Sequence, residues 1–135
     1  MTLRYGPGSE HVADLRLPQP VPGRGAAATA PLVLLLHGGF WRAQYDRTHI
    51  GPLAVALAAA GYAVCTPEFR RVGQLGGGWP GTLDDVAAAV DALPDLAAAA
   101  VDTVPDLAAA AVDSLPDRAV AAIGHGRLAP RPLML

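Results

Sequence analysis

Apolar and polar residues alternate in three modes along this chain, and the strongest is a continuous run. Leu32-Val33-Leu34-Leu35-Leu36 is bounded by Pro31 and Gly38. Five branched residues without a polar break suit a strand buried on both faces, the kind found in parallel sheets covered by helices. His11 to Leu17 alternates, with Val12, Leu15 and Leu17 apolar, and predicts a short edge strand with His11 in solvent. Gly6-Pro7-Gly8 before it, and Pro18, Pro20, Pro22, Gly23 and Gly25 after it, read as turns and surface loop.

Beyond the central run the period becomes helical. A helix is expected to start near Thr48 or at Pro52, where a first-turn proline is tolerated. Ile50, Leu53 and Leu57 mark its apolar positions, and Gly61 its stop. Tyr62 to Thr66 is then a second buried strand ended by Pro67, so strand, helix and strand make a right-handed βαβ unit. Arg42 to His49 reads as a polar, mobile connection. Gly76-Gly77-Gly78-Trp79-Pro80-Gly81 reads as a flexible loop with Trp79 as its anchor. It lacks the Gly-Lys-Ser/Thr ending of a phosphate loop and follows no strand.

Thr82 and Asp85 have capping-box spacing, and Leu83, Val86, Val90 and Leu93 predict the buried stripe of the next helix. From Asp91 the chain repeats an eleven-residue unit. Residues 91–101 and 102–112 share nine of eleven positions, and 113–123 shares six of eleven with the second copy. Each unit carries a proline, which predicts short alanine-rich helices broken at Pro94, Pro105 and Pro116. The units are too short for a solenoid, so a tandem duplication inside one helix-to-strand connection is the better reading. Ala119 to Ile123 then fits a third parallel strand, while residues 127–135 match no regular element.

Composition narrows the function classes. With 135 residues the chain is sized for one domain. A net charge of −2, with no basic cluster interleaved with aromatics, predicts neither nucleic acid nor an anionic membrane as partner. The N-terminal residues lack a basic region followed by an apolar run, and the run 32–36 is too short to span a bilayer, so a cytoplasmic setting is expected. Cys65 is the single cysteine and reads as a small buried thiol. Four scattered histidines and one cysteine have no ligand spacing, so neither metal nor cofactor is expected.

The candidate chemistry lies directly after the central run, at His37-Gly38-Gly39-Phe40-Trp41. Ligand sites in open α/β sheets form at the C-terminal ends of strands. Glycines there let backbone N–H groups face a developing oxyanion. A tight turn without chemistry is the competing reading of a Gly-Gly pair, and the flanking His37 and Phe40-Trp41 favour the oxyanion loop.

This ordered set resembles the α/β-hydrolase superfamily, in particular its esterase, lipase and kynurenine-formamidase-like members. The resemblance rests on Leu32–Trp41, Gly61–Pro67, Glu68–Val72, Gly77-Trp79-Pro80, the helix at Asp84-Asp85 and the strand leading through Asp117 to His125. It implies an incomplete α/β-hydrolase-type sheet, mostly parallel, with flanking helices and the alanine-rich repeats of 91–123 inserted in a partial domain spanning 1–126. It also implies hydrolysis of a small-molecule carboxylic ester or amide by a Ser-His-Asp/Glu triad, with His37 holding the loop. The family's nucleophile elbow is Gly-x-Ser-x-Gly. Here Gly124, His125 and Gly126 form its remnant, so Gly126 occupies the serine position and Leu128 the last glycine position. Residues 129–135 contain no Asp, Glu or His to serve as the later triad members. The expectation is therefore a family member without triad chemistry, with no catalytic residue to assign. A change of reading frame or a truncation just after His125 is expected, with 127–135 as an aberrant tail. Two alternatives stand beside it. One is a non-catalytic binding module or half of a split hydrolase, with an uncovered sheet edge open to self-association. The other is a working hydrolase that uses unconventional residues.

Overall fold

The computed structural model describes residues 1–18, 30–102 and 119–122. Its elements are β1 (Thr2–Arg4), β2 (Val12–Arg16), β3 (Leu32–Leu36), a 3₁₀ turn (Arg47–Ile50), α1 (Gly51–Ala59), β4 (Ala63–Pro67), α2 (Gly81–Asp102) and β5 (Ala119–Ala122). The strands form one sheet in the order β1-β2-β4-β3-β5.

The apolar run behaves as its composition requires. Leu32 and Leu34 of β3 enter one core cluster with Ala13, Leu15, Ala63, Cys65, Ala89, Leu93 and Ala97. Val33 and Leu35 point the opposite way, into a cluster with Ile50, Ala54, Ala58 and Val64. Successive side chains of a strand alternate faces, so a strand with a helix on each side has no polar position to offer. The β3-α1-β4 unit forms as expected, with Val33 level with Val64 in the parallel pair. β5 lies parallel on the other side of β3 and brings Ala122 level with Leu36.

The sheet is mixed rather than mostly parallel. β1 pairs antiparallel with β2, and β2 antiparallel with β4. The Gly6-Pro7-Gly8 turn signal joins two strands of a hairpin, so β2 is interior and β1 lies outside it. The alternation in β2 was legible, but period-2 patterning carries no information about which neighbour a strand takes.

Both helices bury small residues beside the expected Ile50 and Leu93. The inward row runs from Ile50, at the end of the 3₁₀ turn, to Ala54 and Ala58 of α1, while Leu53 is exposed. In α2 the row is Asp85, Ala89, Leu93, Ala97 and Val101, at four-residue steps, and Leu83 is exposed. Small residues on these rows let each helix approach the sheet closely.

Pro94 does not break α2, which runs through it. A mid-helix proline removes a hydrogen bond and ordinarily costs about 3 kcal/mol. Pro94 is itself fully buried between Leu93 and the next inward residues, and packing of that row against the sheet outweighs the lost bond. Pro105 and Pro116 lie outside the described residues. So do the second repeat beyond Asp102 and all of the third except Ala119–Ala122.

Candidate functional site

The site is built at the C-terminal end of β3, where His37 leaves the strand. Its side chain is buried, and its ring stacks on Phe69 with centroids 4.3 Å apart and planes 2° apart. Nε2 donates to Glu68 Oε1 at 2.8 Å, and Nδ1 faces the Gly38 carbonyl oxygen at 3.0 Å.

The next three residues turn left-handed: Gly39 at φ 110°, Phe40 at 54° and Trp41 at 57°. The Arg42 N–H closes the turn on the Gly39 carbonyl at 3.1 Å. Glycine is required at 39 on two counts. Its φ is positive, and a Cβ there would lie 2.5 Å from Cβ of Tyr45. No such allowance exists for Phe40 and Trp41, where a left-handed backbone costs about 1–3 kcal/mol each. Both project outward, Phe40 being 75% exposed. Among the described residues, the N–H groups of Gly39, Phe40 and Trp41 donate to no acceptor. These two strained aromatics lie beside free backbone donors, a combination that fold stability alone does not call for.

The segment after β4 holds the turn. The Val72 N–H donates to the Trp41 carbonyl at 2.7 Å, and the Ala43 N–H to the Val72 carbonyl at 3.1 Å. Arg71 is buried and donates to the Tyr45 carbonyl at 2.6 Å and to Glu10 at 2.7 Å. Glu68 is buried and accepts from His37, from the Arg47 N–H at 2.9 Å and from the Phe69 N–H at 3.2 Å, with the Arg71 guanidinium 3.4 Å away. Burial pushes the Glu68 carboxyl up. The bonds from His37 and Arg47, with the nearby arginine charge, outweigh it and hold the group below the usual carboxylate range. The connection 42–49 is therefore bonded at several points rather than mobile, and Asp46 caps the 3₁₀ turn through the Thr48 N–H.

A second buried carboxylate sits one layer away. Asp85 accepts from Arg70 through Nε at 2.8 Å, Nη2 at 2.6 Å and the backbone N–H at 2.8 Å. It also accepts from His11 Nε2 at 2.9 Å. Burial raises this carboxyl, but the Arg70 bonds and then His11 pull it down to about 2. His11 is thus a tertiary tie rather than a solvated strand residue. The Gly8 N–H donates to its Nδ1 at 3.1 Å, which leaves Nε2 as the proton-bearing nitrogen.

Thr82 and Asp85 do not form the capping box. The Thr82 hydroxyl donates to the Arg70 carbonyl at 2.6 Å and accepts from the Gly78 N–H. Trp79 is 81% exposed and anchors nothing, whereas the backbone of this loop packs so closely that a Cβ on Gly77 would lie 1.9 Å from the Arg71 carbonyl oxygen. Cys65 is buried, as expected, and burial pushes its thiol up to about 12.

The structure thus brings His37, Gly38, Gly39, Phe40 and Trp41 into one turn. Gly124, His125 and Gly126 lie outside the described residues, and β5, which precedes them, ends level with the end of β3. Sequence reasoning missed Glu68 and Arg71 as parts of the site. The signal was charge placed immediately after a fully buried strand, where an unpaired carboxylate is not tolerated. Among the described residues, no three His, Cys, Asp or Glu side chains gather as a metal set, and no helix is long and apolar enough to cross a membrane.

No protein-family model matches the chain, and no curated protein matches it. Solved structures do. An assigned thioesterase from Silicibacter sp. TM1040 is 28% identical with a TM-score of 0.56, over 70% of this chain and 32% of its own. An inhibited esterase B from Lactobacillus rhamnosis is 26% identical with a TM-score of 0.57, over 70% of this chain and 29% of its own. Esterase 2 of Thermogutta terrifontis is 12% identical and shares the fold alone, with a TM-score of 0.62 over 92% of this chain and 41% of its own. These neighbours are esterases and thioesterases of the α/β-hydrolase type, so the chain has a hydrolase-like fold. It spans about a third of the length of the first two.

Proposed function

We propose that this chain carries the oxyanion-loop side of an esterase-type site for a small-molecule carboxylic ester or amide, and that by itself it does not turn such substrates over. The observation that carries the reading is the left-handed Gly39-Phe40-Trp41 turn at the C-terminal end of β3, with N–H groups unpaired among the described residues. Donors in that position stabilise the charge that develops on a carbonyl oxygen during acyl transfer, each by ~3 kcal/mol in known sites. The second half of the proposal rests on Gly126 at the serine position of the elbow remnant. Loss of the nucleophile alone costs ~10⁶ in rate in serine hydrolases studied by mutation.

The resemblance to kynurenine-formamidase-like members narrows the substrate class to aryl amides beside aryl esters. The test is an assay of the purified chain with 4-nitrophenyl butyrate and with an aryl formamide. The expected result is no turnover above buffer with either. Sustained turnover that disappears in His37→Asn would overturn the claim of inactivity and favour unconventional catalytic residues.

A further inference from the structure

The Gly39–Arg42 turn has one internal hydrogen bond, and its two aromatic residues are exposed in a conformation they do not choose alone. Contacts outside the turn must therefore set it. Among the described residues these come from Tyr45, whose N–H donates to the Arg42 carbonyl at 3.1 Å, and from the segment Glu68–Val72. Val72 holds the far side at Trp41 and Ala43, and Arg71 holds the Tyr45 carbonyl. Glu68 reaches the near side, through His37.

The peptide plane between Gly38 and Gly39 makes that contact consequential. This bond is trans, so the Gly38 carbonyl and the Gly39 N–H lie in one plane and point in opposite directions. The His37 ring faces the Gly38 carbonyl through Nδ1 and Glu68 through Nε2. Stacking on Phe69 fixes the plane of the ring, and the carboxylate fixes its rotation within that plane. With a proton on each nitrogen the ring donates to both the Glu68 carboxylate and the Gly38 carbonyl, so whatever holds the ring holds that carbonyl, and whatever holds that carbonyl sets the direction of the Gly39 N–H.

We propose that Glu68 is the positioning residue of this turn: through His37 and the Gly38–Gly39 peptide plane, its carboxylate aims the Gly39 N–H. The role rests on reading the turn as an oxyanion donor. Glu68 touches no substrate.

The experiment is solution NMR of the full chain, wild type and Glu68→Gln, with sodium butyrate as the carboxylate probe and thermal melting as the check on folding. In the wild type, butyrate is expected to shift the Gly39 amide saturably. In Glu68→Gln the Gly39 amide and the His37 Nε2–H resonances move before any probe is added, and butyrate binds roughly tenfold more weakly. Glu10→Gln removes the negative charge from the Arg71 ion pair of the same cluster without touching His37, and leaves butyrate binding unchanged. Glu68→Gln spectra that superimpose on wild type at Gly39 and His37 would overturn the positioning role. A wild type that ignores butyrate would instead overturn the oxyanion reading, and the Gly39 and His37 shifts would still decide the role of Glu68. If Glu68→Gln fails to fold, the wild type decides it. A slowly exchanging His37 Nε2–H coupled to the Glu68 carboxylate supports the role, and a freely exchanging one overturns it.

Discussion

Glu68 and Asp85 are both buried carboxylates held low by one histidine and by arginine, but they hold different parts of the molecule. Asp85 joins α2 to the segment after β4 and to the end of the N-terminal hairpin, and every partner it has is used up in doing so. His11 accepts from Gly8 on one nitrogen and donates to Asp85 with the other. Glu68 faces a turn in which Phe40 and Trp41 are strained and exposed. The same chemical device serves cohesion in one place and a shaped backbone in the other. The difference lies in what the histidine touches on its far side.

The largest effect should come from Glu68→Ala. It leaves His37 buried without its acceptor and takes one of two carboxylates from buried Arg71, which keeps Glu10, and removal of one partner of a buried pair costs about 3–5 kcal/mol. Urea denaturation measures this, and a loss under about 1 kcal/mol would place Glu68 among surface-like pairs.

Asp85→Asn should cost less, because the Arg70 side chain is about a third exposed and its charge can return to water. It should also change the acid response. The folded-state value of Asp85, about 2, lies below its unfolded value of ~3.9, so its contribution is complete above that unfolded value and is lost as pH falls through the folded one. The gap in urea midpoint between wild type and Asp85→Asn should therefore close between about pH 5 and pH 2. A gap that stays constant over that range would show that Asp85 is not held low.

Phe40→Asn should act in the opposite direction. Asn tolerates the left-handed region, and an exposed Phe gives up little packing, so a gain of about 0.5–1 kcal/mol is expected by thermal melting. A loss would mean that the aromatic is held by contacts of its own. The smallest effect is at Cys65, away from both carboxylates. Iodoacetamide at neutral pH should leave it unlabelled in the folded chain and label it in urea, as judged by mass spectrometry.

Much of the fold was legible in local sequence. The β3 run, the βαβ unit and the stop at Gly61 follow from periodicity and glycine chemistry within windows of a few residues. The glycine turn at the end of a doubly buried strand was equally legible. What stayed hidden involves partners far apart in the chain. His37 meets Glu68 across 31 positions, and His11 meets Asp85 across 74. Pattern reading also weighed large apolar residues over alanine, and so chose Leu53 and Leu83 where the chain buries Ala54, Ala58, Ala89 and Ala97.

By itself, then, the sequence determined the elements that local sterics and burial dictate: an unbroken apolar strand, a glycine turn after it, and a helix returning to a second buried strand. Tertiary structure alone decided that β2 runs antiparallel inside the sheet, that α2 continues through Pro94, and that Glu68 rather than solvent meets His37. Strand neighbours and buried ion pairs depend on which distant surfaces exclude water together, and a proline is tolerated only when enough of its helix is buried. None of those quantities is a property of any short stretch of chain.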